Sequence, residues 1–329
     1  MKVLLTGSSG LVGSALTQDL VRAGHTVVRL VRYGASASHA NETHAVNAAP
    51  EKSSNAQTSR GEIVNVTWNP RTCDLEGEPF GDEREKVEEA DAVVNLAGAP
   101  IAAESWGPER KALLRSSRIQ FTRELVCALE KLSAPPRALI SASAIGCYGD
   151  RGDEVLTEES RPGEDFLARL AQEWEAEAVK AETFGVRVVR LRLGIILSSK
   201  GGALPQMMKP FRFGFGGRIG SGRQWISWIT LTDVVRAIGY LLQSETGGGL
   251  NLVAPNPVRN SEFVEELGRA MHRPALLPVP AFALEFALGE MARALLLASQ
   301  RVVPARLQQL GFQFSHAQLA PAIADALAR

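Results

Sequence analysis

The sequence predicts a doubly wound α/β fold: a parallel sheet with helices on both faces, followed by a smaller, mainly helical C-terminal lobe. Three observations predict it. Short, fully apolar runs alternate with helix-like patterns through the first two thirds of the chain, as strands buried on both faces do. A glycine-spaced turn separates the first such run from the first helical pattern. The 329 residues, 45% hydrophobic and 22% charged, suffice for a large core and two lobes.

In chain order, "KVLLT" from Lys2 reads as the first strand and "GSALTQDLVRAG" as a helix closed by Gly24, since glycine readily takes the left-handed C-terminal position. "TVVRLVR" is the second strand. Residues Gly34 to Glu62 are small, polar and without periodicity, which reads as a surface insertion with little to bury. Its His39 and His44 lack partners at ligand spacing, so no metal site is expected. "ADAVVNLAG" and "RALISASA" are further strands around the helical "LRSSRIQFTRELVCALEKL"; the helix "DFLARLAQEWEAEAVKAETFG" then leads into "VRVVRLRLGIIL". From Ser198 the chain turns rich in Gly, aromatic and basic residues, and "TLTDVVRAIGYLLQ" and "GLNLVAP" resume the helix–strand alternation. The expected division is a dinucleotide-type domain over 1–197, rejoined by 230–254, and a substrate lobe within 198–329.

Lys plus Arg and Asp plus Glu both number 36, so no nucleic-acid footprint is expected. The apolar run after Lys2 stops at Thr6-Gly7, too soon for a signal peptide. "AFALEFALGEMARALLLAS" carries Glu285, Glu290 and Arg293 and reads as a buried amphipathic helix, with no membrane partner. Three widely spaced cysteines, Cys73, Cys127 and Cys147, fit a reducing compartment. The expectation is a cytoplasmic monomer or homodimer with a small-molecule substrate.

Thr6-Gly7-Ser8-Ser9-Gly10-Leu11-Val12-Gly13 is TGxxGxxG, set between a strand and a helix. There the glycines allow a tight turn and close approach of a pyrophosphate, while the helix N-terminus offers free N–H groups. Gly7, Ser9, Gly10, Leu11, Val12 and Gly13 are therefore candidate cofactor contacts in a Rossmann-type domain. The second strand ends "RLVRYG", with Arg32 where a ribose-binding carboxylate would favour NAD. A guanidinium there suits a 2′-phosphate, so NADP is the expected cofactor.

With "NLAGAPI", "SSRIQFT", "SASAIGCYG", "LRLGIIL", the Gly/aromatic segment from Gly201 to Ile229 and the tail motif "SQRVVP", the chain resembles the extended short-chain dehydrogenase/reductases. It is most similar to their atypical, YfcH-like epimerase-family branch. The resemblance implies that Gly7, Gly10, Leu11 and Val12 meet the pyrophosphate and Arg32 the 2′-phosphate. It places Leu96, Ala97 and Gly98 along the adenosine side, and Ser141 and Ala142 beside the nicotinamide ribose. The superfamily's catalytic set is a Ser or Thr with Tyr and Lys four residues apart on one helix. Ser143 fits the serine, but Leu167 and Ala171 occupy the Tyr and Lys positions. Tyr148, just after the Ser143 strand, is the alternative acid, or else a packing or substrate-contact residue. Gln224, Trp225 and Trp228 are expected on the substrate side, with Lys209, Arg212, Arg218 and Arg223 adding positive charge. The implied function is an NADP(H)-dependent oxidoreductase or epimerase-like enzyme acting on a small polar, possibly sugar-nucleotide substrate. The alternative is a non-catalytic NADP(H)-binding sensor or scaffold.

Overall fold

The apolar runs become seven strands, β1 (Lys2–Thr6), β2 (Thr26–Arg32), β3 (Ile63–Trp68), β4 (Ala92–Asn95), β5 (Ala138–Ala144), β6 (Arg187–Leu193) and β7 (Gly248–Leu252). The structure, a computed structural model, describes residues 1–32, 61–69 and 79–328. Apart from Gly61 and Glu62, the insertion expected from Gly34 to Glu62, with His39 and His44, lies outside the described residues.

The strands pair in the order β7-β6-β5-β4-β1-β2-β3, every neighbour parallel. This is a Rossmann-type sheet whose order reverses between β1 and β4, and in such sheets the crevice at the reversal point takes the ligand. Alternation along β1 sorts the core into two layers. Val3 and Leu5 face one way, against Leu16 and Leu20 of helix α1 (Leu11–Arg22). Leu4 faces the other way, in a cluster with Leu125 and Leu129.

The helical stretch expected near "LRSSRIQFT" is not one regular helix. Helix α2 (Pro108–Arg115) runs through a π turn at Ser116–Gln120 into α3 (Phe121–Glu130). Helix α4 (Phe166–Val179) starts at Asp165, whose side chain accepts from the Ala168 amide, a satisfied N-cap. The run "VRVVRLRLGIIL" breaks at Gly194. There the chain leaves the sheet and Ile195–Leu197 pairs with Trp228–Thr230; any side chain on Gly194 would collide with the Ser227 carbonyl.

The C-terminal part is helical, with α5 (Ala203–Arg212), α7 (Asn260–Ala270) and α9 (Leu319–Ala328) sharing a core of Leu204, Phe211, Trp228, Phe263 and Ile323. Helix α6 (Leu231–Leu242) returns to the sheet against α1. The burial expected for "AFALEFALGEMARALLLAS" is met at Met291 and Ala292 but not in its first half. Helix α8 (Ala281–Leu288) has no buried residue, and Phe282 and Phe286 stand in solvent. A buried amphipathic helix is expected over this segment, yet α8 is apolar on every side except at Glu285. Among the described residues no helix is long and apolar enough to cross a membrane. Cys147 is a free, buried thiol, and Cys73 lies outside the described residues.

Candidate functional site

The site is built at the C-terminal ends of β1, β4 and β5. Gly7 takes a left-handed φ of 68°, and a Cβ there would lie 2.7 Å from the Leu96 carbonyl carbon. At Gly13 a Cβ would sit 2.1 Å from the Gly7 oxygen, so only bare backbone lets α1 pack onto the turn. The Gly10 amide donates to the Gly7 oxygen at 3.0 Å and closes the turn. A Cβ on Gly10 would meet only that oxygen, and otherwise the space above it is open. Gly10 caps α1 without a side-chain partner, and the first turn holds no acid. The first amides of α1, at Leu11 and Val12, have no intrahelical acceptor and suit an anion at that terminus. These residues fit a pyrophosphate-bearing cofactor; Ser9 is exposed on the same turn.

Buried hydrogen bonds lock the strand ends. Thr6 Oγ1 donates to Asn95 Oδ1 at 2.7 Å, and Asn95 Nδ2 donates to Thr122 Oγ1 at 2.9 Å and to Ser141 Oγ at 3.2 Å. This corrects the position of Ser141. It lies behind the wall, buried, its hydroxyl engaged with Asn95 rather than turned toward a ribose. Arg32 closes β2 opposite Trp68 in register, and its neighbour Arg29 donates to Asn65.

Beside the turn opens a cavity of about 470 Å³, walled by Leu96, Ala97, Gly98 and Ala142 on the sheet side. Leu167, Leu170, Ala171 and Trp174 of α4 form its floor, and Ala294, Leu295 and Leu296 its roof. Leu167 and Ala171, which the resemblance sets at the Tyr and Lys positions, thus face the cavity. Among the described residues Arg118 is the one charged side chain in the lining. Its guanidinium reaches only neutral acceptors, the carbonyls of Ala99 and Leu114 and the Ser117 hydroxyl, and lies over the Trp174 ring at 5.4 Å. Burial, reinforced by the like charge of Arg110, lowers its pKa to about 10, so it stays cationic at neutral pH.

Ser143 also lines the cavity, with its proton committed. Its Oγ donates to Glu175 Oε1 at 2.7 Å. Arg192 grips the same carboxylate with Nε at 2.9 Å and a terminal nitrogen at 3.0 Å, and Arg190 adds a contact at 3.2 Å. Burial works against the Arg192 charge, but Glu175 outweighs it and raises the pKa above the usual arginine value.

Tyr148 does not face the cavity. It is fully buried, its hydroxyl donating to Asn251 Oδ1 at 2.7 Å and accepting from Arg192 at 2.9 Å. Burial drives its pKa upward despite the Arg192 charge. A phenol so held cannot serve as the acid expected for the cleft. Its partner Asn251 is 103 residues away, beyond any local spacing.

Of the expected substrate residues, Gln224 lines the cavity and donates to the Ile219 and Leu296 carbonyls, both at 3.1 Å, pinning the roof. Trp225 lines it too, but its ring lies against the guanidiniums of Arg259 and Arg301, at 4.1 and 4.3 Å, leaving little free face for stacking. Trp228 is a core residue, fully buried, its indole donating to the Asn256 carbonyl. Lys209, Arg212, Arg218 and Arg223 are exposed and outside the lining. Arg118, Glu175 and Arg192 were missed as site residues. For Arg118 the available signal was a cation within the motif "SSRIQFT".

The profile of the NAD dependent epimerase/dehydratase family matches residues 3–252. The chain belongs to that family. A second profile, a domain of unknown function (DUF1731), matches residues 279–326. Relatives within the epimerase family share its full length. The chain is 38% identical over 328 residues to an epimerase family protein of Mycobacterium leprae, covering 99% of this chain and 96% of that one. It is 37% identical to the epimerase family protein YfhF of Bacillus subtilis, covering 100% and 98%. Among solved structures, human epimerase family protein SDR39U1 with NADPH superposes with a TM-score of 0.79 at 29% identity, covering 100% of this chain and 99% of that one.

Proposed function

We propose that this epimerase-family chain is an NADP(H)-dependent oxidoreductase whose substrate has a largely apolar body and one anionic group. The observation that carries this reading is the cavity: apolar walls, one unpaired cation, and direct continuity with the cofactor-side residues Leu96, Ala97, Gly98 and Ala142. A sugar nucleotide, the ligand expected from the resemblance, would leave many hydroxyls unmatched against those walls. Arg32 at the end of β2 supports NADP over NAD, and the NADPH bound to the human relative is in keeping with it.

The cofactor would supply hydride chemistry; the chain supplies placement. Gly7, Gly10, Leu11, Val12 and Gly13 hold the pyrophosphate, and Arg118 anchors the substrate anion through donors that have no carboxylate of their own. Ser143 directs its hydroxyl hydrogen at Glu175, so it meets the substrate with lone pairs and accepts from a substrate hydroxyl. Leu167 and Ala171 stand where the resemblance places Tyr and Lys, so α4 lacks that proton-relay pair. That absence favours a second reading, an NADP(H)-binding sensor whose cavity ligand is not transformed.

NADPH absorbance followed with medium-chain oxo acids and their methyl esters tests the proposal. Consumption of the acids at least tenfold faster than the esters, lost in Arg118→Met while NADPH affinity is kept, is the expected result. Ser143→Ala should abolish turnover and leave NADPH affinity nearly intact. Tight NADPH binding without turnover of any oxo acid would transfer the assignment to the sensor.

A further inference from the structure

We infer that the face carrying helix α8 is a docking surface for an anionic phospholipid bilayer. Six large apolar side chains stand there in solvent: Phe213, Phe215, Leu276, Leu277, Phe282 and Phe286, with Phe286 95% and Leu276 80% exposed. They form one surface, because the segments that bear them are joined. The Leu277 amide donates to Gly216, Val279 to Arg218 and Gly220 to Val279. A Cβ at Gly220 would touch Ala281 at 3.4 Å. Soluble chains rarely leave aromatic groups of this size together in water, and such patches mark interaction sites.

The charge around the patch selects the partner. Lys209, Arg212, Arg218, Arg273 and Arg293 lie in the same segments, all exposed, and none has a carboxylate partner among the described residues. Residues 203–220 hold no acid, and residues 273–297 hold only Glu285 and Glu290, the latter paired with Lys111. Unpaired cations around exposed phenylalanines match the two attractions of an anionic interface, apolar insertion and phosphate contact. A second copy of the chain fits less well, since a two-fold axis through the patch would set these cations against their own images.

The far side of the same segments is cavity wall. Met207 of α5, Ile219, and Ala294 to Leu296 beyond α8 line the chamber. Docking therefore sets the bilayer against the wall through which an apolar ligand would reach the chamber. Vesicle binding by this face needs neither cofactor nor substrate.

The full chain is sedimented with vesicles of phosphatidylcholine alone, and with vesicles in which part of the lipid is phosphatidylglycerol. Expected are binding to the anionic vesicles only, weakening with added salt, and at least tenfold weaker binding for Phe282→Ser/Phe286→Ser at an unchanged melting temperature. Neutralising Arg212 and Arg273 to Ala should weaken binding about fivefold per cation. Absence of binding to anionic vesicles, or equal binding by the double Ser variant, overturns the inference. So does a wild-type dimer in sedimentation equilibrium that the double Ser variant converts to monomer, which would assign the patch to a second copy.

Discussion

The β1–α1 turn and the start of α4 meet the ligand space from the same edge of the sheet, yet they hold their function differently. The turn works through backbone: the left-handed φ of Gly7, the bare Cα of Gly13 and the unpaired amides of α1. The helix would work through side chains, and at Leu167 and Ala171 it presents no titrating group to the cavity. Backbone geometry needs a whole pattern of small residues, so its preservation is visible in eight consecutive letters. Side-chain chemistry turns on single positions, and Leu167 and Ala171 give this wall an apolar surface. Behind that wall, Glu175 with Arg190 and Arg192 still makes a buried ionic cluster, now bonded to Ser143.

The contrast can be broken at either end. The largest effect is expected from Glu175→Ala, which strands two guanidiniums in the interior; removing one partner of a buried pair costs about 3–5 kcal/mol. Urea denaturation should report that loss, and a change below about 1 kcal/mol would show that the cluster is solvated. Gly13→Ala forces a methyl into the Gly7 carbonyl. A cost near 3 kcal/mol, the upper end for overpacking, should accompany loss of measurable NADPH binding by calorimetry. Arg32→Glu leaves the turn intact and removes one charge-assisted contact of roughly 1.5–3 kcal/mol. It should weaken NADPH by at least tenfold while NADH changes little, and equal losses for both cofactors would refute the NADP assignment.

The smallest effect concerns Cys147, whose thiol burial pushes from 9.0 up to about 12, with Arg192 opposing. Folding holds this thiol protonated. The resulting stability is complete below pH 9 and declines as the pH rises from 9 toward 12, because the unfolded thiol ionises first. At pH 8 the native thiol should resist iodoacetamide and react only on unfolding; fast native alkylation would contradict its burial.

How much was legible follows the range of each interaction. The strands were readable because a parallel sheet buried on both faces writes itself as apolar runs, and Val3, Leu4 and Leu5 fill both layers. The glycine turn was readable because its parts are contiguous. For Tyr148 the sequence leaves an acid and a packing residue open, because its position near Ser143 says nothing of Asn251 and Arg192, which reach it from distant strands. Trp225 and Trp228 look alike in sequence, and only packing sends one to the cavity wall and the other to the core. The composition of helix α8 implies burial only when another element arrives to cover it, and among the described residues none does.

The π turn at Ser116–Gln120 amounts to one surplus residue wedged between two ordinary helices. A π turn widens the helix and shifts the phase of everything after it relative to what came before. Here Arg118 sits inside the widened turn and opens onto the cavity, while Phe121 and Leu125 beyond it pack into the core. Deleting one residue from that turn would restore regular phase at the expense of one of these two alignments. The irregularity thus acts as a gearwheel, letting one continuous rod satisfy a core and a binding chamber that a uniform pitch could not serve together.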